Sequence, residues 1–338
     1  MSRLRNGLPG KILLFFLPIA AAVICLGVGR YSVSVPDTLH ALAASVTGHM
    51  AQLDPTQASV LFSIRSPRVL LALFVGAGLS VSGAAFQGLF TNPLATPDTL
   101  GVASGASFGA AVALMLSKNL LIVQVCALAF GLCAILLTSF IGRQGGKNSV
   151  VMVVLSGMVV SSLFQALVSF VKFVADPQDV LPSITYWLMG SLTGVTYSSL
   201  LLGLPFVVAG TLVLFLLRWR LNIMALSDDE ANSLGVNVKR VRLSIMFAAT
   251  FVTASCISMC GQVGWVGLLV PHVARMVYGS NNRDVVPASI SLGATFLIII
   301  DTVARTATAA EIPISILTAV IGAPFFIILL RRTGGTKL

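Results

Sequence analysis

The chain has 338 residues, of which 57% are hydrophobic and 9% charged, with a mean hydropathy of +0.98 and a formal charge of +10. Soluble domains carry about 25% charged residues, so these values exclude a soluble globular protein and point to an all-α membrane protein. The basic excess fits loops on the cytoplasmic side of a membrane better than a nucleic-acid footprint.

A membrane-spanning helix needs about 20 apolar residues. Ten apolar runs follow one another at 12–28, 69–90, 100–116, 120–141, 150–174, 198–217, 241–260, 264–278, 285–303 and 312–330. The first run follows Arg3, Arg5 and Lys11 and has the shape of a signal peptide. It is long for one and no Ala-x-Ala site follows, so it counts as a span. The third and eighth runs are short and Gly-rich, as expected of partial helices wrapped in protein. All five cysteines (Cys25, Cys126, Cys133, Cys256, Cys260) lie in apolar runs and read as small buried hydrophobes. Cys256 and Cys260 share a helix face, but no His or carboxylate nearby completes a metal set.

With the N-terminus in the cytoplasm, ten alternating spans place fifteen Lys/Arg inside and six outside. The inside group includes Arg143, Lys147, Arg218, Arg220, Arg275, Arg283, Arg331, Arg332 and Lys337. This bias supports ten spans with both termini inside, in one permease unit covering 1–338. An outside segment covers 31–64, with turn signals at Pro36-Asp37 and Asp54-Pro55. A cytoplasmic segment covers 218–242. In it Ser227 is an N-cap candidate, Asp228, Asp229 and Glu230 fill a first helical turn, and Gly235 is a C-cap candidate. A short helix outside the membrane is expected there; the alternative is a solvated loop.

The most informative stretch is Arg65-Ser-Pro67-Arg68, Gly76-Ala77, Ser82-Gly83, Gln87, Asn92-Pro93-Leu94-Ala95, Pro97 and Leu100-Gly101. A long apolar run ends there in a polar turn with two prolines, and a small-residue segment follows at once. Lipid cannot satisfy open backbone groups, so such a segment belongs inside a transporter rather than on its wall. The second half carries Ala231-x-x-Leu234-Gly235 and Gly264-Trp265-Val266-Gly267-Leu268-Leu269-Val270-Pro271-His272-x-Ala274-Arg275. It closes with Asp301-x-x-Ala304-Arg305, Glu311-x-Pro313 and Gly322-Ala-Pro324-Phe325-Phe326.

This ordered set, spread over nearly the whole chain, resembles the permease subunits of type II ABC importers that take up iron siderophores, haem and cobalamin. The resemblance implies an inverted repeat of helices 2–5 and 7–10 and a homodimer with its pathway on the two-fold axis. It implies two cytoplasmic ABC ATPases that hold the ATP and Mg, a periplasmic or lipid-anchored substrate-binding protein, and a multi-pass location in the bacterial inner membrane. From the residues alone the halves share only Ser82-Gly83…Gln87 against Cys260-Gly261-Gln262. The resemblance also assigns Arg65, Arg68 and Arg305 to docking with carboxylates of the binding protein, a role suited to a planar, always-charged fork. The alternative is that they snorkel to the headgroups. Asp301 precedes Arg305 by one helical turn and is placed to pair with it. Ser227, Asp228, Asp229, Glu230, Ala231, Leu234 and Gly235 match the family's coupling helix, with Ser227 where the family usually has Gly. Ala231 and Leu234 are the expected apolar contact with the ATPase.

Ser162, Gln165 and Ser169 share one face of the fifth helix, and Ser315, Thr318 and Gly322 one face of the tenth. In the resembled family both helices lie near the dimer axis. Each face is therefore a pathway candidate, with interhelical packing as the alternative. His272 reads as a structural hydrogen-bonding group and Asp98 as a cap of the third helix. His40 and His49 have no partner motif. The nearest approach to a P-loop, Gly145-Gly146-Lys147-Asn148, lacks the first Gly and the Ser/Thr. No nucleophile–base pair is evident, so the chain is read as a permease without enzymatic activity, bound metal or cofactor. The leading cargo is a ferric siderophore, with haem, cobalamin or an oxyanion such as molybdate behind it. An ion-driven secondary transporter is the alternative; Asp301 and Glu311 are its late carboxylate candidates.

Overall fold

The computed structural model describes residues 8–48, 54–142 and 150–333. Arg3, Arg5, His49, Arg143, Gly145, Gly146, Lys147, Asn148 and Lys337 lie outside those residues. Ten helices correspond to the expected spans: α1 (Leu8–Gly27), α4 (Ser66–Leu89), α5 (Val102–Leu116), α6 (Leu120–Ile141), α7 (Val150–Val174), α9 (Tyr197–Leu217), α12 (Val238–Cys260), α13 (Val266–Tyr278), α14 (Asn282–Thr306) and α15 (Ile314–Thr333). Seven are long and apolar enough to cross a membrane, and α5, α13 and the apolar part of α15 are shorter.

Short helices fill the connections: α2 (Val35–Thr47), α3 (Pro55–Ala58), α8 (Val180–Leu188), α10 (Arg220–Ile223) and α11 (Asp228–Ser233). The segment 31–64 is therefore more ordered than its turn signals suggest. Pro36 and Pro55 begin helices rather than turns, because proline suits a first helical turn whose N–H groups lack partners. Ser34 caps α2 by accepting from the Asp37 amide, and Asp54 caps α3 by accepting from the Gln57 amide. From Pro55 the chain runs through a π-helical turn, Ser59–Arg65, straight into α4, forming one 35-residue rod.

Burial separates core helices from wall helices. The most apolar window of the α3–α4 rod is 83% buried, against 28% in α1 and α9. Hence α4 is enclosed by protein, and α1 and α9 face outward. The contacts obey an inverted repeat. α4 packs on α14 and α13, as α12 packs on α6 and α5; α13 packs on α14 and α15, as α5 packs on α6 and α7; and α4 meets α12.

The core seams rest on missing side chains. A Cβ at Gly76 would strike the backbone carbonyl of Gly293, and one at Gly83 the carbonyl of Gly267. Helices in lipid gain little from hydrophobic burial against one another, so close backbone approach carries the packing. Cys25, Cys256 and Cys260 are buried as expected, but Cys126 is only partly buried and Cys133 is exposed on the wall. Asp98 does not cap α5; it sits within a 3₁₀ turn, Pro97–Leu100, that ends at Gly101.

Gly83→Val is expected to cost at least about 3 kcal/mol by overpacking α4 against α13. Gly264→Ala, where a Cβ meets no atom within 4 Å, is expected to be neutral. Thermal unfolding of the two purified variants beside the wild type checks both.

Candidate functional site

The outer ends of the two repeats meet in an ionic knot. The rod carries Arg65 and Arg68 on successive turns, and α14 carries Asp301 and Arg305 on successive turns. The Arg68 Nε donates to both Asp301 oxygens at 2.8 and 3.1 Å, and its Nη1 donates to both Glu311 oxygens at 2.9 Å. The Arg305 Nε lies 3.8 Å from Asp301, and its Nη2 donates to the Cys25 carbonyl. Arg65 donates to the carbonyls of Leu26 at 2.8 Å and Gly27 at 3.0 Å, and to that of Tyr31. Arg65 and Arg305 thus tie the outer end of α1 to both repeats.

Both readings of these arginines placed their guanidinium groups outward, toward a partner or toward headgroups. The structure instead buries them, with only 5%, 8% and 9% of Arg65, Arg68 and Arg305 exposed. For Arg65 and Arg305 the physical reason is the α1 terminus, whose open carbonyls need donors, and for Arg68 it is the pair of carboxylates Asp301 and Glu311. Asp301 does pair with Arg305, but its closer partner is Arg68. Asp301 is thus held between two arginines, Arg68 at 2.8 Å and Arg305 at 3.8 Å. Glu311 is the accessible member of the knot, its side chain 29% exposed. It also accepts from the Thr193 hydroxyl at 2.6 Å. Burial pushes the Glu311 carboxyl up, but Thr193 and Arg68 outweigh it and hold the group below its ordinary value. Arg30 is exposed beside this cluster and donates to the carbonyls of Thr308 and Ala309. Four arginines against two acids leave the knot net positive. Thr193 and Arg30 were not legible as members because their contacts cross more than a hundred residues of sequence.

At the basic end, α11 has the expected form. Ser227 accepts from the Glu230 amide while the Glu230 carboxylate accepts from the Ser227 amide, a capping box. The Glu230 carboxylate accepts from the Ser227 hydroxyl at 2.8 Å and from the Ser227 amide at 3.0 Å, and these two bonds hold it below its usual range. The Val236 amide reaches the Ala231 carbonyl at 3.2 Å and the Gly235 amide the Asn232 carbonyl at 2.9 Å. This Schellman closure needs the left-handed backbone that Gly235 adopts at φ +75°. Ala231 does not face outward as expected. It is 1% exposed and packs inward with Leu221, Val238 and Val241. Leu234, at the C-cap, is 62% exposed, and Leu226, just before the N-cap, 44%. Asp228 is paired with Arg242 at 2.9 Å. Asp229, Leu226 and Leu234 are therefore the groups left for a partner.

A hydrogen-bond bridge ties this segment to the membrane helices. Asn222 of α10 donates to Asn281 at 2.9 Å and accepts from the Asn282 amide at 2.9 Å, at the start of α14. Nearby, Arg275 of α13 donates to the Gln87 side chain of α4.

The two pathway faces differ. Ser162, Gln165 and Ser169 on α7 are exposed on the protomer surface. On α15 the Ser315 hydroxyl donates to the Gln262 carbonyl at 2.6 Å, and Thr318 is fully buried. Gly322 gives way to the ring of Trp265, a residue at φ +69°. Thr318 and Gly322 are covered within the protomer, and the face they share with Ser315 meets Gln262 and Trp265 at the entry of α13. His272 makes no hydrogen bond among the described residues, against expectation. No group of three or more His, Cys, Asp or Glu that could hold a metal ion is found among the described residues.

Comparison with known proteins bears on the family and the fold. The model of the FecCD transport family matches residues 16–332. The chain is 41% identical over 320 residues, covering 94% of both chains, to the molybdate import system permease protein MolB of Haemophilus influenzae. It is 33% identical over 332 residues, covering 95% of this chain and 96% of the other, to the hemin transport system permease protein HmuU of Yersinia pestis. A solved structure of a metal-chelate type ABC transporter in an inward-facing conformation superposes with a TM-score of 0.87 at 39% identity, covering 96% of this chain and 99% of that one.

Glu311→Gln is expected to lower stability by about 1 kcal/mol at neutral pH, a modest value for a partly exposed ion pair. A carboxylate with a depressed pKa stabilises the fold above its ordinary value of 4.5 and ceases to do so as pH falls through its folded value. The difference between wild type and variant should accordingly close on acidification below pH 4.5. Thermal melts of both proteins across pH 3 to 8 check this.

Proposed function

Because the chain belongs to the FecCD transport family, and so is the non-catalytic membrane permease of a bacterial ABC importer, we propose how its residues meet their partners and what it carries. Two copies form a homodimer whose two-fold axis is lined by the α7 faces bearing Ser162, Gln165 and Ser169. The segment 218–242 receives the ATPase, with α11 as the coupling helix and Leu226, Leu234 and Asp229 as its contact. The observation that carries this assignment is the double cap of α11: a six-residue helix is closed at both ends by its own side chain and backbone, yet presents two leucines to solvent. A rigid short element with exposed apolar groups fits a groove on a partner.

The bridge from Asn222 to Asn281 and Asn282 then carries displacement of the coupling segment into α14. The outer knot receives the substrate-binding protein. Its net positive charge attracts an acidic partner, and a carboxylate of that partner competes with the accessible Glu311 for Arg68, with Arg65 and Arg305 beside it.

The cargo is a ferric siderophore. The α7 face offers hydroxyl and amide groups but no fixed charge, which suits loose handling of a chelate already wrapped by its ligand. Molybdate is the second reading, favoured by similarity to MolB over 94% of both chains.

The test reconstitutes the permease with its ATPase and loaded binding protein in lipid. Leu234→Asp leaves the cap bonds intact and is expected to lower binding-protein-stimulated ATP hydrolysis at least about tenfold, equivalent to about 1.4 kcal/mol of coupling. Unchanged stimulation would remove α11 from the ATPase contact. Uptake of radiolabelled ferric siderophore against radiolabelled molybdate, each with its own binding protein, decides the cargo.

A further inference from the structure

A cavity of about 920 Å³ opens near the basic end of the molecule, between α1 and α9, with α4 and α14 as its floor. α1 packs on α14 and α4, and α9 on α12 and α4, so the crevice between them faces the wall of the protein rather than its core. Its floor is apolar: Leu73 and Ala77 from α4, and Ile290 and Ala294 from α14. Its mouth is cationic. Lys11, Arg218 and Arg283 line it, with Asp284 as the single carboxylate among the lining residues. Lys11 and Arg283 make no ion pair among the described residues. Arg218 lies over the Phe215 ring at 3.9 Å and uses one guanidinium nitrogen on the Phe215 carbonyl, which leaves its other donors open. Tyr278 and Asn281 add a hydroxyl and an amide at the same rim.

The depth of the crevice is that of one membrane leaflet. From Arg283 to Ala294 the wall rises about 16 Å at 1.5 Å per residue, roughly half of a 30 Å hydrocarbon core. The mouth lies at the end that the charge bias places in the cytoplasm. A charged rim at headgroup level above an apolar slot one leaflet deep matches a molecule with an anionic head and a hydrocarbon tail. A soluble anion would have no use for the slot, and a neutral lipid none for the uncompensated cations.

We propose that this crevice binds one anionic phospholipid of the cytoplasmic leaflet, its phosphate held by Lys11, Arg218 and Arg283 and one acyl chain laid over Ala77, Ile290 and Ala294. The site flanks the machinery that moves. Arg218 begins the segment that carries α11, and Asn281 at the rim is bonded to Asn222. The bound lipid therefore braces α1 and α9 at the point where motion of the cytoplasmic segment enters the membrane.

The test is lipid retention by the full-length protein, which does not depend on any transport activity. Protein extracted in a mild zwitterionic detergent is exposed to mixed vesicles of phosphatidylglycerol and phosphatidylcholine, repurified, and its lipid measured by mass spectrometry. About one phosphatidylglycerol per chain is expected to remain. The pair Lys11→Gln/Arg283→Gln should lower that occupancy at least tenfold while the thermal midpoint in lipid-free detergent stays at the wild-type value. Ile290→Trp, which fills the slot from α14, should lower it to the same extent without touching a charge. Equal retention by the wild type and the charge pair would overturn the proposal. So would loss of the lipid on adding millimolar inorganic phosphate, which would mark a site for a soluble anion alone. If Ile290→Trp fails to fold, the charge pair and the phosphate competition decide between these outcomes.

Discussion

The fold depends on the seam between α4 and α14. Both helices belong to the core, and in lipid neither gains much by burying apolar groups against the other. What they have instead is contact at backbone distance, where Gly76 faces Gly293, and charge at the outer end, where Arg68 meets Asp301 at 2.8 Å. The first requires the absence of side chains. The second requires that two ions removed from water find each other, since a lone buried charge costs several kcal/mol. Together they set the register of the first repeat on the second, and the mirrored contacts of α12 with α6 and α5 follow the same plan.

From that seam the two ends acquire different characters. The outer end is tied by many bonds: Arg65 and Arg305 secure the terminus of α1, and Glu311 and Thr193 draw in the two loops beside them. Among the described residues the cytoplasmic end is tied by fewer: the Asn222 bridge, the Gln87–Arg275 bond and the Asp228–Arg242 pair are its principal polar cross-links. An importer driven from below needs this contrast. In the coupling proposed for α11, force would enter through the more lightly bonded end while the heavily bonded outer end keeps the repeats in register.

The spans were legible in the sequence to within a few residues because a run of about 20 apolar residues has one use in a membrane protein. The cap of α11 was legible because Ser227, Glu230 and Gly235 act on their own neighbours. Long-range relations were not. Pro36 and Pro55 read as turn signals, whereas with Ser34 and Asp54 as caps each begins a helix. Arg305 lies at a helix end as expected, but Arg65 and Arg68 lie within the continuous rod 55–89. Nothing local shows that the carbonyls of Leu26, Gly27 and Cys25 would turn Arg65 and Arg305 inward, or that Asp301 and Glu311 would do so for Arg68. Periodicity put Ser315, Thr318 and Gly322 on one face, but a period cannot say that the face meets Gln262 and Trp265. Ala231 failed for the same reason, since a helix of six residues does not show which side has the core behind it.

The central claim is that the outer seam acts as one unit, and a double-mutant cycle on Arg68 and Asp301 tests it most directly. Thermal stability is measured for Arg68→Met, Asp301→Leu and the pair. Arg68→Met leaves Asp301 with only the 3.8 Å contact to Arg305, and Asp301→Leu leaves Arg68 with only Glu311; each is expected to cost about 3 kcal/mol, whereas the double change removes the mismatched pair and should cost far less than their sum. Additive losses would contradict the account, because they would mean that the two residues stabilise the protein independently and that the repeats are held in register by something other than this seam.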